Sequence, residues 1–221
     1  MTKIIAFEGI DGTGKTVQIE QLRLRFEKKG MRVLTLSFPV YTSFFGTEIG
    51  KFLTGKEGVA ANQVDQKSMA LWFALDRFEA FSGLDYSGYD VLLINRFVLS
   101  NAVYQSIRKR DGDNADLLDF VYDLEFNRLG IPKPDRILLF DMDLESASEN
   151  VSRKGFRDYV GSSGKDIYES IPDIQLKARR KYLDYASRLD NVCVIPCMGA
   201  NGLKSIGEIA ALVKEALSDL F

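Results

Sequence analysis

The octet Gly9-Ile10-Asp11-Gly12-Thr13-Gly14-Lys15-Thr16 fits the spacing G-x-x-x-x-G-K-[ST] without a mismatch. The chemistry these residue types can do at that spacing is phosphate binding. Glycines let successive backbone N–H groups converge on phosphate oxygens, and a helix starting at the loop adds the positive end of its dipole. The Lys15 ammonium suits the β- and γ-phosphates of a nucleotide, and the Thr16 hydroxyl suits Mg²⁺. The expected cofactor-binding set is therefore Gly9, Asp11, Gly12, Thr13, Gly14, Lys15 and Thr16, with Thr16 the metal ligand. An ordinary Gly-rich turn is the alternative, and it predicts no strand before the loop and no helix after it.

Four further groups could act beside this loop. Arg96 follows an apolar run, and its planar fork suits a phosphate; pairing with Asp90 or a helix end is the other reading. Phe73 and Arg77, four apart, share one helix face, so an aromatic ring and a donor fork could hold a base. Equally, Leu71, Trp72, Phe73 and Leu75 read as core, with Arg77 paired to Asp76 or Glu79. Ser100, Asn101, Tyr104 and Gln105 form a polar cluster at a helix start, where Ser100 could be only an N-cap. Arg153 and Arg157, with Lys154, flank a polar Gly-rich stretch. They are either charge-neutralising groups on a closing loop or a solvated basic loop.

The elements that must position these groups alternate along the chain. Strands are expected at Ile4–Phe7, Arg32–Phe38, Val91–Ile94, Arg136–Phe140 and Val192–Ile195. Helices are expected at Val17–Lys29, Thr47–Leu53, Asn62–Ser82, Leu99–Arg110, Ala115–Leu129, Leu144–Arg153, Asp173–Leu189 and Leu203–Leu220. The segment from Lys154 to Lys165 has no period and reads as a mobile loop. Val91-Leu92-Leu93-Ile94 is apolar at every position, as a strand covered on both faces must be. The expectation is a single α/β domain over residues 1–221, with a parallel sheet between helix layers. Ligands then sit at the carboxyl ends of the strands, beside Glu8–Thr16, Pro39–Tyr41, Asn95–Phe97, Asp141–Asp143 and Pro196–Asn201.

Composition narrows the classes. The chain has 221 residues, 46% of them apolar, with a formal net charge of −2. No basic face stands out, which argues against nucleic acid as a partner. Charges interrupt every apolar run, which argues against a membrane span. Met1-Thr2-Lys3 leads straight into the first strand, so no signal peptide is expected and the reading is cytoplasmic. Cys193 and Cys197 come with no histidine in the chain, so zinc is not expected and reduced thiols are favoured over a disulfide.

Together these segments resemble thymidylate kinases, which phosphorylate dTMP with ATP. The resemblance rests on F-E-G-I-D-G-T-G-K-T at 7–16, F-P-V-Y at 38–41, G-T-E-I-G-K-F-L at 46–53 and A-L-D-R-F-E at 74–79. It continues through N-R-F-V-L-S-N-A-V-Y-Q at 95–105, P-K-P-D at 132–135, K-D-I-Y-E at 165–169 and R-K-Y-L-D-Y-A at 180–186. It implies a P-loop three-layer fold with sheet order 2-3-1-4-5, a mobile lid at about 153–167, a homodimer, and ATP with Mg²⁺ as cofactors. It also implies roles. Asp11 would bond the sugar 3′-hydroxyl, Phe73 would stack on thymine, Arg77 would donate to its 4-oxo group, and Asn101 would contact the base edge. Tyr104 would press on the sugar, Phe38 and Tyr41 would line the monophosphate pocket, Arg96 would hold the acceptor phosphate, and Gln105 is expected among the substrate-binding residues. Lys15, Arg96, Arg153 and Arg157 would be catalytic, the last two in the lid. Three positions depart from the family pattern: Asn95 where Asp is usual, and Val40 and Ile167 where many members carry Arg. The alternatives are a kinase of another deoxynucleotide or, through Asn95, a weakened nucleotide-binding homologue. A GTPase switch would need [NT]-K-x-D, and Lys133-Pro134-Asp135 follows Pro132 and precedes a strand.

Overall fold

A five-stranded parallel sheet carries the site, and its register sets the level of every loop. The computed structural model describes residues 1–55, 58–108, 116–153 and 172–221; the side chains of Arg153 and Pro172 are outside that description. The strands are β1 (Lys3–Glu8), β2 (Val33–Ser37), β3 (Val91–Asn95), β4 (Arg136–Asp141) and β5 (Val192–Pro196), in the order β2-β3-β1-β4-β5. This is the expected 2-3-1-4-5 arrangement. Ser37 and Phe7 both pair with Asn95, while Glu8 pairs with Leu139. Ser37, Asn95 and the start of the phosphate loop therefore emerge in one row at the carboxyl edge. Residues 91–94 are fully buried, as their unbroken apolar run requires.

Helices cover the sheet: α1 (Lys15–Lys28), α2 (Phe44–Thr54), α3 (Gln66–Ser82), α4 (Val98–Ser106), α5 (Leu118–Tyr122), α6 (Leu144–Arg153), α7 (Pro172–Ala186) and α8 (Ile206–Ala216). Local chemistry fixes their ends. Asp65 caps α3 by accepting from the Ser68 N–H at 2.9 Å, so the helix starts four residues later than the apolar period suggests. A reciprocal Ser205–Glu208 box starts α8 at Ile206. The expected start at Leu203 was too early, because Gly202-Leu203 instead pairs with Met198-Gly199 in a small antiparallel hairpin. After α5 the chain passes into a π turn over Asp123–Arg128, where the Leu129 N–H reaches the Leu124 carbonyl at 3.0 Å.

Two glycines hold the phosphate loop where it is. A Cβ at Gly9 would lie 2.6 Å from the Phe140 carbonyl oxygen, and one at Gly12 only 2.0 Å from that of Ala147. Both also have positive φ, 133° and 84°. The loop is thereby packed against β4 and α6. The expected lid, including Arg157 and Ile167, lies outside the described residues.

Candidate active site

One cleft of about 560 Å³ opens at the carboxyl edge of β1, β2 and β3. Asp11, Gly12, Thr13, Gly14, Lys15, Thr16 and Arg96 line its floor; Phe38, Tyr41, Phe73, Arg77, Asn101, Tyr104 and Gln105 line its walls. Every expected site residue whose side chain is described lines this cleft except Gly9, which lies behind the loop against β4; the Arg153 side chain is outside the description.

On the floor, Lys15 is buried and its Nζ donates to the carbonyls of Gly9 and Ile10 at 3.0 and 2.8 Å. The ammonium is stored against the loop's own oxygens, which a bound phosphate can replace. Arg96 is the one non-glycine residue with positive φ (58°) among those described. That backbone costs free energy, and here it turns the side chain over the loop. Its Nη2 donates to Asp11 at 2.6 Å, its Nη1 to Ser100 at 3.3 Å, and the guanidinium lies 5.4 Å from the Tyr104 ring centre. Burial alone would lower its pKa, but the Asp11 carboxylate raises it well above the usual arginine value, so Arg96 stays charged. Asp90 instead pairs with Arg32.

Glu8 supports this floor from beneath. It is fully buried and accepts the Phe97 and Ser100 N–H groups at 2.8 and 3.1 Å, the Ser100 hydroxyl, and the Tyr182 hydroxyl at 3.1 Å. A carboxylate from β1 thus caps α4, and Ser100 sits inside the first turn rather than at its N-cap. Burial, with Glu8 close by, pushes the Tyr182 phenol well above its usual pKa. At the adjacent wall, Asn95 Nδ2 donates to Ser37 Oγ at 3.0 Å, and Asn95 Oδ1 is buried with no partner among the described residues.

At the far wall, Arg77 pairs with neither Asp76 nor Glu79. Its Nε and Nη2 donate to the two oxygens of Glu125 at 2.5 and 2.6 Å, with both side chains almost wholly buried. Removing one partner of such a pair costs about 3–5 kcal/mol. Asn101 Nδ2 donates to the same carboxylate at 2.8 Å and to the Ala70 carbonyl at 3.0 Å. Phe73 is half-buried and faces this corner, and Phe38 lies under the Arg77 guanidinium at 5.9 Å. Asp76, on the same helix as Arg77, holds the loop after β2 through the Val40 N–H and the Ser43 hydroxyl, each at 3.2 Å. Burial raises its pKa, partly offset by Arg77.

Sequence reasoning did not find Glu125, Arg108 or Tyr182. Glu125 carried one signal: it stands four residues after Val121 on the stripe that buries Leu118 and Val121, where an unpaired carboxylate is not tolerated. Its partner, 48 residues away, is visible only in three dimensions.

The family model described as thymidylate kinase matches residues 7–198. The thymidylate kinase of Mycobacterium tuberculosis is 35% identical over 188 residues, spanning 84% of this chain and 86% of its own. A probable thymidylate kinase of Thermococcus onnurineus is 30% identical, spanning 96% of this chain and 98% of its own. Among solved structures, the thymidylate kinase of Candida albicans superposes with a TM-score of 0.73 over 99% of this chain and 92% of its own, at 22% identity, which supports the fold.

Proposed function

The chain belongs to the thymidylate kinase family and is a phosphotransferase that converts dTMP to dTDP, and we propose that the cleft described above does this with ATP and Mg²⁺. The observation that carries the site assignment is the placement of Lys15 and Arg96 on one floor, opposite the Phe73–Arg77–Asn101 corner. ATP phosphates lie on the loop and on Lys15. The dTMP phosphate takes Arg96, with Phe38 and Tyr41 around it. The base enters between Phe73 and the Arg77–Asn101–Gln105 wall, with Asp11 and Tyr104 at the sugar.

No protein nucleophile is needed. The residues align two nucleotides in line and neutralise charge on the transferred phosphoryl group. Hard oxygen donors suited to Mg²⁺ line the cleft: the Thr16 hydroxyl, and Asn95 Oδ1, which has no partner among the described residues. A divalent cation held by these residues would supply neutralisation of phosphate charge. Arg153 and Arg157 belong, on this reading, to a lid at about 153–167 that excludes water, within a single domain spanning 1–221.

Three exposed apolar side chains on α2 and α3, Phe44, Leu71 and Phe78, support a homodimer through that face. No described helix is long and apolar enough to cross a membrane. Cys193 and Cys197 are free thiols, and burial pushes that of Cys197 up to about 12.

The test is a coupled ADP-release assay across the common mononucleotides. dTMP should be the best acceptor, and dUMP, lacking only a methyl group, should follow within about 10–200-fold. Absence of turnover with dTMP sinks the reading.

A further inference from the structure

Three of the buried polar atoms that lack a partner among the described residues belong to side chains lining the cleft: Asn95 Oδ1, Asn101 Oδ1 and Gln105 Nε2. The last two lie one turn apart on the same face of α4. In these last two amides, the neighbouring groups dictate which end is left over.

Asn101 contacts two groups that can only accept, the Glu125 carboxylate and the Ala70 carbonyl. Its Nδ2 must therefore turn towards them, leaving Oδ1 as an acceptor. Gln105 contacts a group that can only donate, Nη1 of Arg108, at 2.6 Å. Its Oε1 must turn towards the arginine, leaving Nε2 as a donor. Arg108 is itself buried, its Nη2 donating to the carbonyls of Ala61 and Val64. Glu125 takes Nε and Nη2 of Arg77, so Nη1 is the donor left over on a side chain that lines the cleft. The wall thus reads donor (Arg77), acceptor (Asn101), donor (Gln105).

We propose that Glu125 and Arg108 are positioning residues that lock this donor–acceptor–donor wall, and that the wall selects a pyrimidine with an acceptor–donor–acceptor edge. Uracil-type bases present that edge as the 4-oxo group, N3–H and the 2-oxo group. Cytosine matches only at the 2-oxo group, because its 4-amino group donates and its N3 accepts. Neither Glu125 nor Arg108 lines the cleft. They act through Arg77, Asn101 and Gln105, and the inference rests on the reading of the cleft as a dTMP site.

The two locks make different predictions. Glu125→Gln keeps the shape but supplies a group that both donates and accepts, so only the Ala70 carbonyl still holds the Asn101 amide and its orientation is less strongly fixed. The kcat/KM ratio of dTMP to dCMP should fall by about tenfold or more, mainly through KM for dTMP. Gln105→Glu keeps an acceptor for Arg108, and so the fold, but puts an oxygen where the donor was. Because both bases carry the 2-oxo group, KM should rise about tenfold or more for dTMP and dCMP alike, leaving their ratio unchanged. Arg108→Met should act in the same direction as Gln105→Glu. If Glu125→Gln does not fold, the Gln105→Glu pattern decides: KM unchanged for both nucleotides overturns the locked wall. A Glu125→Gln protein that slows both reactions equally has lost only structure, and that result overturns the inference. A wild-type protein that does not turn over dTMP overturns the functional reading instead. One that prefers dTMP, with an unchanged ratio in folded Glu125→Gln, overturns this inference alone.

Discussion

Arg96 Nη2 and Asp11 Oδ1 lie 2.6 Å apart, joining the residue after β3 to the middle of the phosphate loop. The pair holds a guanidinium over the cleft floor on a backbone turn that an arginine rarely adopts. A nucleotide phosphate arriving there meets a cation already oriented, with Nη1 held, among the described residues, by the Ser100 hydroxyl at 3.3 Å.

Arg96→Lys keeps the charge but loses the planar fork, so it cannot serve Asp11 and a phosphate together. KM for dTMP should rise about 10–100-fold, the worth of one charge-assisted hydrogen bond, with KM for ATP little changed. Steady-state kinetics with each substrate varied in turn checks this. Equal effects on both KM values would remove Arg96 from the acceptor site.

Lys15→Ala should lower kcat by about 10²–10³ while the circular dichroism spectrum stays that of the wild type. Lys15 Nζ donates to the Gly9 and Ile10 carbonyls of its own loop, and its loss removes a positive charge from the floor. Wild-type turnover in a folded variant would exclude the loop lysine from the mechanism.

Asn95→Asp restores a carboxylate beside Arg96. Glu8, Asp11 and Asp141 could each have taken over such a task, but each is engaged. Glu8 is taken by α4 and Tyr182, Asp11 by Arg96, and Asp141 by Arg179 at 2.6 and 3.0 Å. The Ser37 hydroxyl can reverse and donate to the new carboxylate, so the local bond survives. kcat should rise, the Mg²⁺ requirement should fall, or both, because an anionic oxygen binds Mg²⁺ better than an amide oxygen. Titrating kcat against Mg²⁺ decides it: a slower variant with unchanged metal dependence means that one of those three carboxylates already does the work.

Asp76→Asn should make stability less sensitive to alkali. Burial raises the Asp76 pKa above its ordinary 3.8, so ionisation costs more in the folded chain than in the unfolded one. The associated stability is complete below 3.8 and is lost as pH rises through the folded value. Asn keeps one oxygen for the Val40 N–H and the Ser43 hydroxyl but has no such loss. The Tm of the variant relative to wild type should therefore be higher at pH 7.5 than at pH 4. A difference that does not change with pH would show that Asp76 is ionised in the folded chain at no cost.

What the sequence determined was what short range decides. The strand, glycine loop and helix of residues 3–28 follow from apolar run, motif and period, because each is fixed by neighbours within a few residues. The alternation of strands and helices then forces a parallel sheet, and a parallel sheet forces its loops to one edge, so most of the cleft was legible. Helix starts were displaced where a local cap overrode the apolar period, at Asp65 and Ser205. Tertiary structure alone decided the partners. Arg77 had two acidic neighbours in sequence and took neither, because α3 turns it inward onto Glu125, 48 residues on, where a buried charge must be met by an opposite one. Glu8 reads as the first residue after a strand, on the ligand side, and became the cap of α4 through the pairing of β1 with β3. The polarity of the base-facing wall has the same origin. An amide has no preferred end, and only the carboxylate or guanidinium packed behind it settles whether it gives or accepts a hydrogen bond.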